Sequence, residues 1–122
     1  MSIRTYRDLL VWQKAMDLVD AVYRLTRGFP REEIYGLTSQ VRRAAVSIPS
    51  NIAEGHGRRT CRHFLHFLSI ARGSIKELET QLLIAQRLGY ANQADSSGML
   101  DLSDQVSRLT TGLMNSLHRK ES

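Results

Sequence analysis

A chain of 122 residues, 42% apolar and 24% charged, suffices for one domain around one hydrophobic core, so residues 1–122 read as a single domain. No apolar run approaches the roughly 18 residues of a membrane-spanning helix. The N-terminal Met-Ser-Ile-Arg-Thr-Tyr-Arg-Asp lacks the apolar stretch of a secretory signal, and the lone Cys61 excludes an internal disulfide; the expected setting is reducing and cytoplasmic.

The net charge of +5 is unevenly placed: seven cations and a single carboxylate, Glu54, lie between Arg42 and Lys76. That segment alone out-charges the whole chain. It would attract phosphate groups over about a Debye length, roughly 10 Å at 0.1 M salt.

The first helix is predicted from Leu9 to Arg27. Leu9, Trp12, Met16, Val19 and Tyr23 share one face of a 3.6-residue period, and Trp12 reads as core or interface packing. Thr5 with Asp8 suits a capping arrangement just before it. Gly28 stands where a left-handed C-terminal cap is expected, and Pro30 prevents continuation. Arg31 to Gly36 is a short connection with room for one turn of helix.

The second helix begins near Leu37 and points Leu37, Val41, Ala44, Ala45, Ile48 and Ile52 inward, with Arg43, Ser47, Ser50 and Glu54 opposite. Val46 falls outside the stripe and is free to touch another subunit. Pro49 costs about 3 kcal/mol inside a helix, so the helix either ends near Ile48 or passes through Pro49 with a kink. Ile52 and Ala53 continue the stripe and favour the kink. Asn51, at the edge of the buried face, is expected to bond across to a neighbouring helix.

Gly55 to Arg59 reads as a turn, and Thr60 as the N-cap of a third helix from Cys61 to Leu88. Its stripe is Phe64, Phe67, Leu68, Ala71, Ile75, Leu78, Leu82 and Ala85, with Gly89 as the residue beyond the C-cap. Leu65, Ile70, Leu83 and Ile84 fall outside the stripe, where association of copies would cover them. Arg62, Arg72, Lys76 and Arg87 lie toward one flank as a basic strip. A polar, disordered linker is expected around Asn92 to Gly98. A fourth helix then runs from Ser97 to His118, capped by Ser96 or Ser97, with Leu102, Val106, Leu109, Leu113 and Leu117 inward. Arg119 to Ser122 is expected to fray. No segment alternates as a strand does. The fold class is all-α, an antiparallel up-down-up-down four-helix bundle.

Catalytic and metal chemistry find little support. His56, Cys61, His63 and His66 are close in sequence and are acceptable zinc donors, but no second ligand pair accompanies them. Glu54 is isolated. Glu32 with Glu33, and Glu77 with Glu79, look solvated. No inward Glu-x-x-His motif, nucleophile elbow or phosphate-binding loop occurs. No cofactor and no enzymatic activity are expected. Gly55 to Arg62 has the arginines and the helix N-terminus that favour an anion. Phe64 and Phe67 lie on the core stripe, so they are poor stacking platforms for bases. The candidate phosphate contacts are Arg42, Arg43, Arg58, Arg59, Arg62, Arg72 and Lys76, unless some of them bridge subunits.

Several stretches together carry a family resemblance. They are Leu-Val-Trp-Gln-Lys-Ala at 10–15, Phe29-Pro30, Glu33, Tyr-Gly-Leu at 35–37, Gln40 through Gly55, Phe64, Gly73-Ser74, Glu77 to Glu79, and Leu-Gly-Tyr at 88–90. The most specific is Arg-Ala-Ala-Val-Ser-Ile-Pro-Ser-Asn-Ile-Ala-Glu-Gly at 43–55. In these the chain resembles the S23 ribosomal protein family, encoded in intervening sequences of bacterial 23S rRNA genes. More distantly it is similar to the accessory variability determinant of diversity-generating retroelements, a basic pentamer that binds nucleic acid and a reverse transcriptase. The resemblance implies a four-helix bundle assembled as a ring-shaped homopentamer and brings no catalytic residues. The expected function is a non-enzymatic, oligomeric protein that binds RNA or DNA by its phosphates. The alternative is an oligomeric scaffold for an unidentified protein partner, with nucleic-acid contact incidental.

Overall fold

In the computed structural model residues 4–121 are described. Among them are four α-helices, α1 (Leu10–Thr26), α2 (Leu37–His56), α3 (Cys61–Arg87) and α4 (Gln93–Glu121), two single 3-10 turns (Tyr6–Asp8 and Arg31–Glu33), and no strand. The α1 helix packs on α2 and α4, as does α3; the remaining pairs lie diagonally across the core. This is a four-helix bundle. Leu18, Val22, Val41, Ile48, Ile52, Leu68, Ile75, Leu78, Leu82 and Val106 are wholly buried at its centre.

The local stop and start signals fall largely where the sequence places them. The Thr5 hydroxyl accepts from the Arg7 amide at 3.1 Å, and the Asp8 carboxylate accepts from the Arg4 and Thr5 amides at 2.9 and 3.1 Å. Thr60 caps α3, its hydroxyl accepting from the His63 amide at 3.2 Å. Gly89 adopts φ +79°, which costs glycine nothing. The Tyr90 and Gly89 amides then reach back to Ala85 and Gln86, closing a Schellman motif. Gly28 is different: among the described residues only Gly89 has positive φ. At Gly28 the chain leaves α1 through two i→i−3 bonds, Gly28 to Leu25 and Phe29 to Thr26.

Two helices present other faces than the apolar spacing predicts. In α1 the buried apolar residues are Val11, Ala15, Leu18 and Val22, whereas Met16 and Tyr23 are 39% and 38% exposed. The helix carries two neighbouring apolar stripes, and the one of Val11, Ala15, Leu18 and Val22 is the one that faces the core. In α4 the buried line is Ser96, Met99, Ser103, Val106, Thr110, Met114 and Leu117; Leu102, Leu109 and Leu113 only flank it. The polar linker is helix from Gln93 onward, because Asn92 caps it: its Oδ1 accepts from the Asp95 amide at 2.8 Å. Ser96, offered as a cap, is instead a core residue. The expected fraying gives way to helix through Glu121, while Ser122 lies outside the described residues.

Helix α2 runs unbroken through Pro49, so an end near Ile48 is excluded. Asn51 does not cross to a neighbour. Its Nδ2 donates to Ser47 of its own helix, to the carbonyl at 2.8 Å and the hydroxyl at 3.0 Å. Ser47, expected on the outer face, makes the cross-helix bond, 2.9 Å to the Ser74 hydroxyl on α3. Near the C-terminal end of α2, a Cβ on Gly55 would lie 2.7 Å from Phe67 Cβ and 2.9 Å from Phe64 Cδ1, so glycine is what lets α2 approach α3 there. Leu65, read as outside the α3 stripe, is buried, while Ile70, Leu83 and Ile84 are exposed as expected.

Candidate nucleic-acid interface

The seven basic candidates divide into those held within the fold and those left to solvent. The Arg42 Nε donates to the Thr26 hydroxyl at 2.7 Å, and its guanidinium lies 4.7 Å from the Tyr23 ring centroid. It ties α2 to α1, a role that no local sequence signal announces. Arg58 pairs with Glu54 at 2.6 Å and lies 5.0 Å from the Phe67 ring centroid. Both partners of that pair are about half exposed, so the ion pair is worth about 0–1 kcal/mol and yields readily to a phosphate. Lys76 pairs with Glu79 at 3.2 Å. Arg43, Arg59, Arg62 and Arg72 are exposed and make no hydrogen bond or ion pair among the described residues.

Geometry separates these groups further. At about 100° per residue, Arg62, Arg72 and Lys76 fall within roughly 80° of one another around α3. Ser74, which touches α2 through Ser47, is roughly 160° from Lys76. The α3 cations therefore occupy a face turned away from α2, and Arg42 and Arg43 do not join them. What remains together is Arg58, Arg59 and Arg62, in the α2–α3 corner and the first turn of α3. The start of α3 adds its own positive end.

Other nearby groups are accounted for by packing. His56 stacks edge-on against Phe64, His66 against Phe67, and the His63 ring is 2.8 Å from the Thr60 hydroxyl. Among the described residues no three His, Cys, Asp or Glu side chains gather as metal ligands, and no helix is long and apolar enough to cross a membrane. At the other end of α2, Glu33 accepts from the Leu37 amide at 3.0 Å and from the Tyr90 hydroxyl at 3.1 Å. The Tyr90 phenol pKa is raised, first by that hydrogen bond. The Asp8 carboxyl is lowered, first by the Arg4 amide and then by that of Thr5.

The sequence reading passed over Arg27 and Arg31, which join Arg42 around a groove at the α1–α2 connection. Only the pairing of residues 16 apart, Arg42 with Thr26, brings them together, and that is invisible to helical periodicity.

A family model described as 23S rRNA-intervening sequence protein matches residues 7–112. Among solved structures, the chain is similar to a protein of unknown function from the S23 ribosomal protein family of Bacteroides thetaiotaomicron VPI-5482. The two share 21% identity and a TM-score of 0.80, over 86% of this chain and 98% of that one. A comparison with curated proteins finds no match.

Proposed function

The chain belongs to the 23S rRNA-intervening sequence protein family, and from that starting point we propose that it is a non-enzymatic, oligomeric, cytoplasmic protein that binds RNA or DNA through backbone phosphates. The observation that carries this reading is the pair Arg59 and Arg62, exposed and unpartnered in one turn of chain beside the readily released Arg58. Arg72 and Lys76 extend the surface along α3. Contacts of this kind position a protein on a backbone without reading bases. The short connections, with Ser47 set against Ser74 and Gly55 against Phe67, support an antiparallel up-down-up-down course. Repeating the surface around a ring-shaped homopentamer, as the family resemblance implies, would multiply modest contacts into useful avidity.

Titration of short RNA and DNA oligomers at several salt concentrations tests the reading, with light scattering to report subunit number. Binding that weakens steeply with salt, in an oligomer, is expected. A monomer indifferent to both nucleic acids would overturn it.

A second reading is favoured by the exposed apolar side chains. Met16, Tyr23 and Val46 stand open on α1 and α2, and Ile70, Ile84 and Leu88 on and just beyond α3. Such faces suit association of copies or recruitment of another protein. Pull-down after nuclease treatment separates the two: a retained stoichiometric protein partner favours the scaffold.

A further inference from the structure

At the end of the bundle remote from Arg59 and Arg62, α1, the Arg31–Glu33 turn and the start of α2 enclose a groove of about 280 Å³. Three guanidinium groups from three different elements line it, those of Arg27, Arg31 and Arg42. Arg27 and Arg31 make no hydrogen bond or ion pair among the described residues. Arg42 uses its Nε on Thr26, which fixes the side chain and leaves both terminal nitrogens free to donate. Thr38 also lines the groove and is only 5% exposed, yet its buried hydroxyl oxygen has no hydrogen-bond partner. A buried hydroxyl without a partner is uncommon in folded proteins. Phe29 and Ile34 supply apolar wall. The nearby Glu33 carboxylate forms its hydrogen bonds with the Leu37 amide and Tyr90 and not with any of the three arginines, so it ties up no guanidinium.

We propose that this groove binds a phosphomonoester carried on a small, partly apolar group, such as a nucleoside 5′-monophosphate. The three guanidinium groups match a doubly charged phosphate, which arginine donors grip in bidentate fashion. Arg42, held in place by Thr26, supplies the fixed donor of the three, and Phe29 and Ile34 pack against the carrier. The groove is open to solvent and its volume lies just below the roughly 300–1,000 Å³ of drug-sized ligand pockets, so it holds the phosphate and the adjoining part of its carrier. Such a phosphate is offered equally by a free nucleotide and by the 5′ end of a nucleic-acid strand. The site stands independently of the Arg59–Arg62 surface.

Calorimetric titration of the full chain with AMP, adenosine and inorganic phosphate tests this. AMP is expected to bind, inorganic phosphate more weakly, and adenosine not at all. The double variant Arg27→Gln/Arg31→Gln, altered only at exposed positions, should lose at least tenfold in AMP affinity. Arg59→Gln/Arg62→Gln should lose nothing. AMP and adenosine binding alike, or AMP binding retained in the Arg27/Arg31 variant, would overturn the proposal. Short RNAs with a 5′-phosphate or a 5′-hydroxyl identify the source. A preference for the phosphorylated end that vanishes with Arg27 and Arg31 assigns the site to strand termini, and AMP binding without that preference assigns it to the free nucleotide.

Discussion

At its C-terminal end α2 hands the chain to α3 through a corner closed tightly at Gly55, and Arg59 and Arg62 stand out from that corner into water. At its N-terminal end Arg42 lies half-buried against Tyr23, and Arg27 and Arg31 share a groove with it. Both ends are basic, but Arg59 and Arg62 stand exposed in water whereas Arg27, Arg31 and Arg42 line one groove. Exposed charges act through water, are screened by salt and hold ligands loosely. Charges gathered in a groove act at lower effective dielectric and can select one ligand shape. Equal numbers of arginines can thus give two different kinds of anion contact.

The largest expected effect strikes the packing that closes the C-terminal corner. Gly55→Ala should destabilise the protein by about 1–3 kcal/mol through overpacking against Phe67 and Phe64, outweighing a helix-propensity gain of about 1 kcal/mol. Denaturant unfolding measures it, and a neutral or stabilised variant would mean the corner has slack.

Next comes charge at the same corner. Arg59→Gln/Arg62→Gln should reduce the slope of log affinity against log salt by about 1.4 for single strands, at roughly 0.7 per phosphate contact. The melting curve should not move. An unchanged slope in the folded variant removes this corner as the interface.

A smaller effect is expected midway along α2. Ser47→Ala removes the bond to Ser74 and one of the two bonds from Asn51, so a loss of about 0.5–1.5 kcal/mol should appear in chemical denaturation. No loss would show that the seam rests on apolar packing alone.

The smallest test concerns the N-terminal end of α2. The folded-state pKa of Tyr90 is raised, so its contribution is fully present below the unfolded value near 10 and is lost as pH rises through the higher folded value. Tyr90→Phe should be slightly less stable near neutrality and should lack that alkaline component. An identical alkaline profile in the variant would show that Glu33 does not feel Tyr90.

The features legible in the sequence are those written locally. Thr60 as a cap, Gly89 beyond the C-cap and the inward line of α2 each depend on a few consecutive residues, and the structure reproduces them. Misreadings arose where two faces compete. Leu102, Leu109 and Leu113 look like a core stripe, but Ser103 and Thr110 are buried in their place, because their hydroxyls find partners in Glu79 and in the Val106 carbonyl. Trp12, Met16 and Tyr23 outshine Ala15 and Val22 by size, yet the line through Ala15, Leu18 and Val22 faces the core of α1. The candidate sites were legible only in part for a related reason. Arg58, Arg59 and Arg62 are neighbours in sequence, so spacing along the chain alone groups them. The grouping of Arg27, Arg31 and Arg42 depends on tertiary contact.

That polar core line of α4 has a dynamic consequence. With Ser96, Ser103 and Thr110 at buried positions, α4 contributes less apolar surface to the centre than a leucine-lined helix, and its packing on α1 is the least extensive among the four neighbouring helix pairs. The bundle therefore has a soft side. Its amide protons should exchange with solvent at lower free-energy cost along α4 than along α2 and α3, and thermal opening should begin with α4 swinging away as a unit.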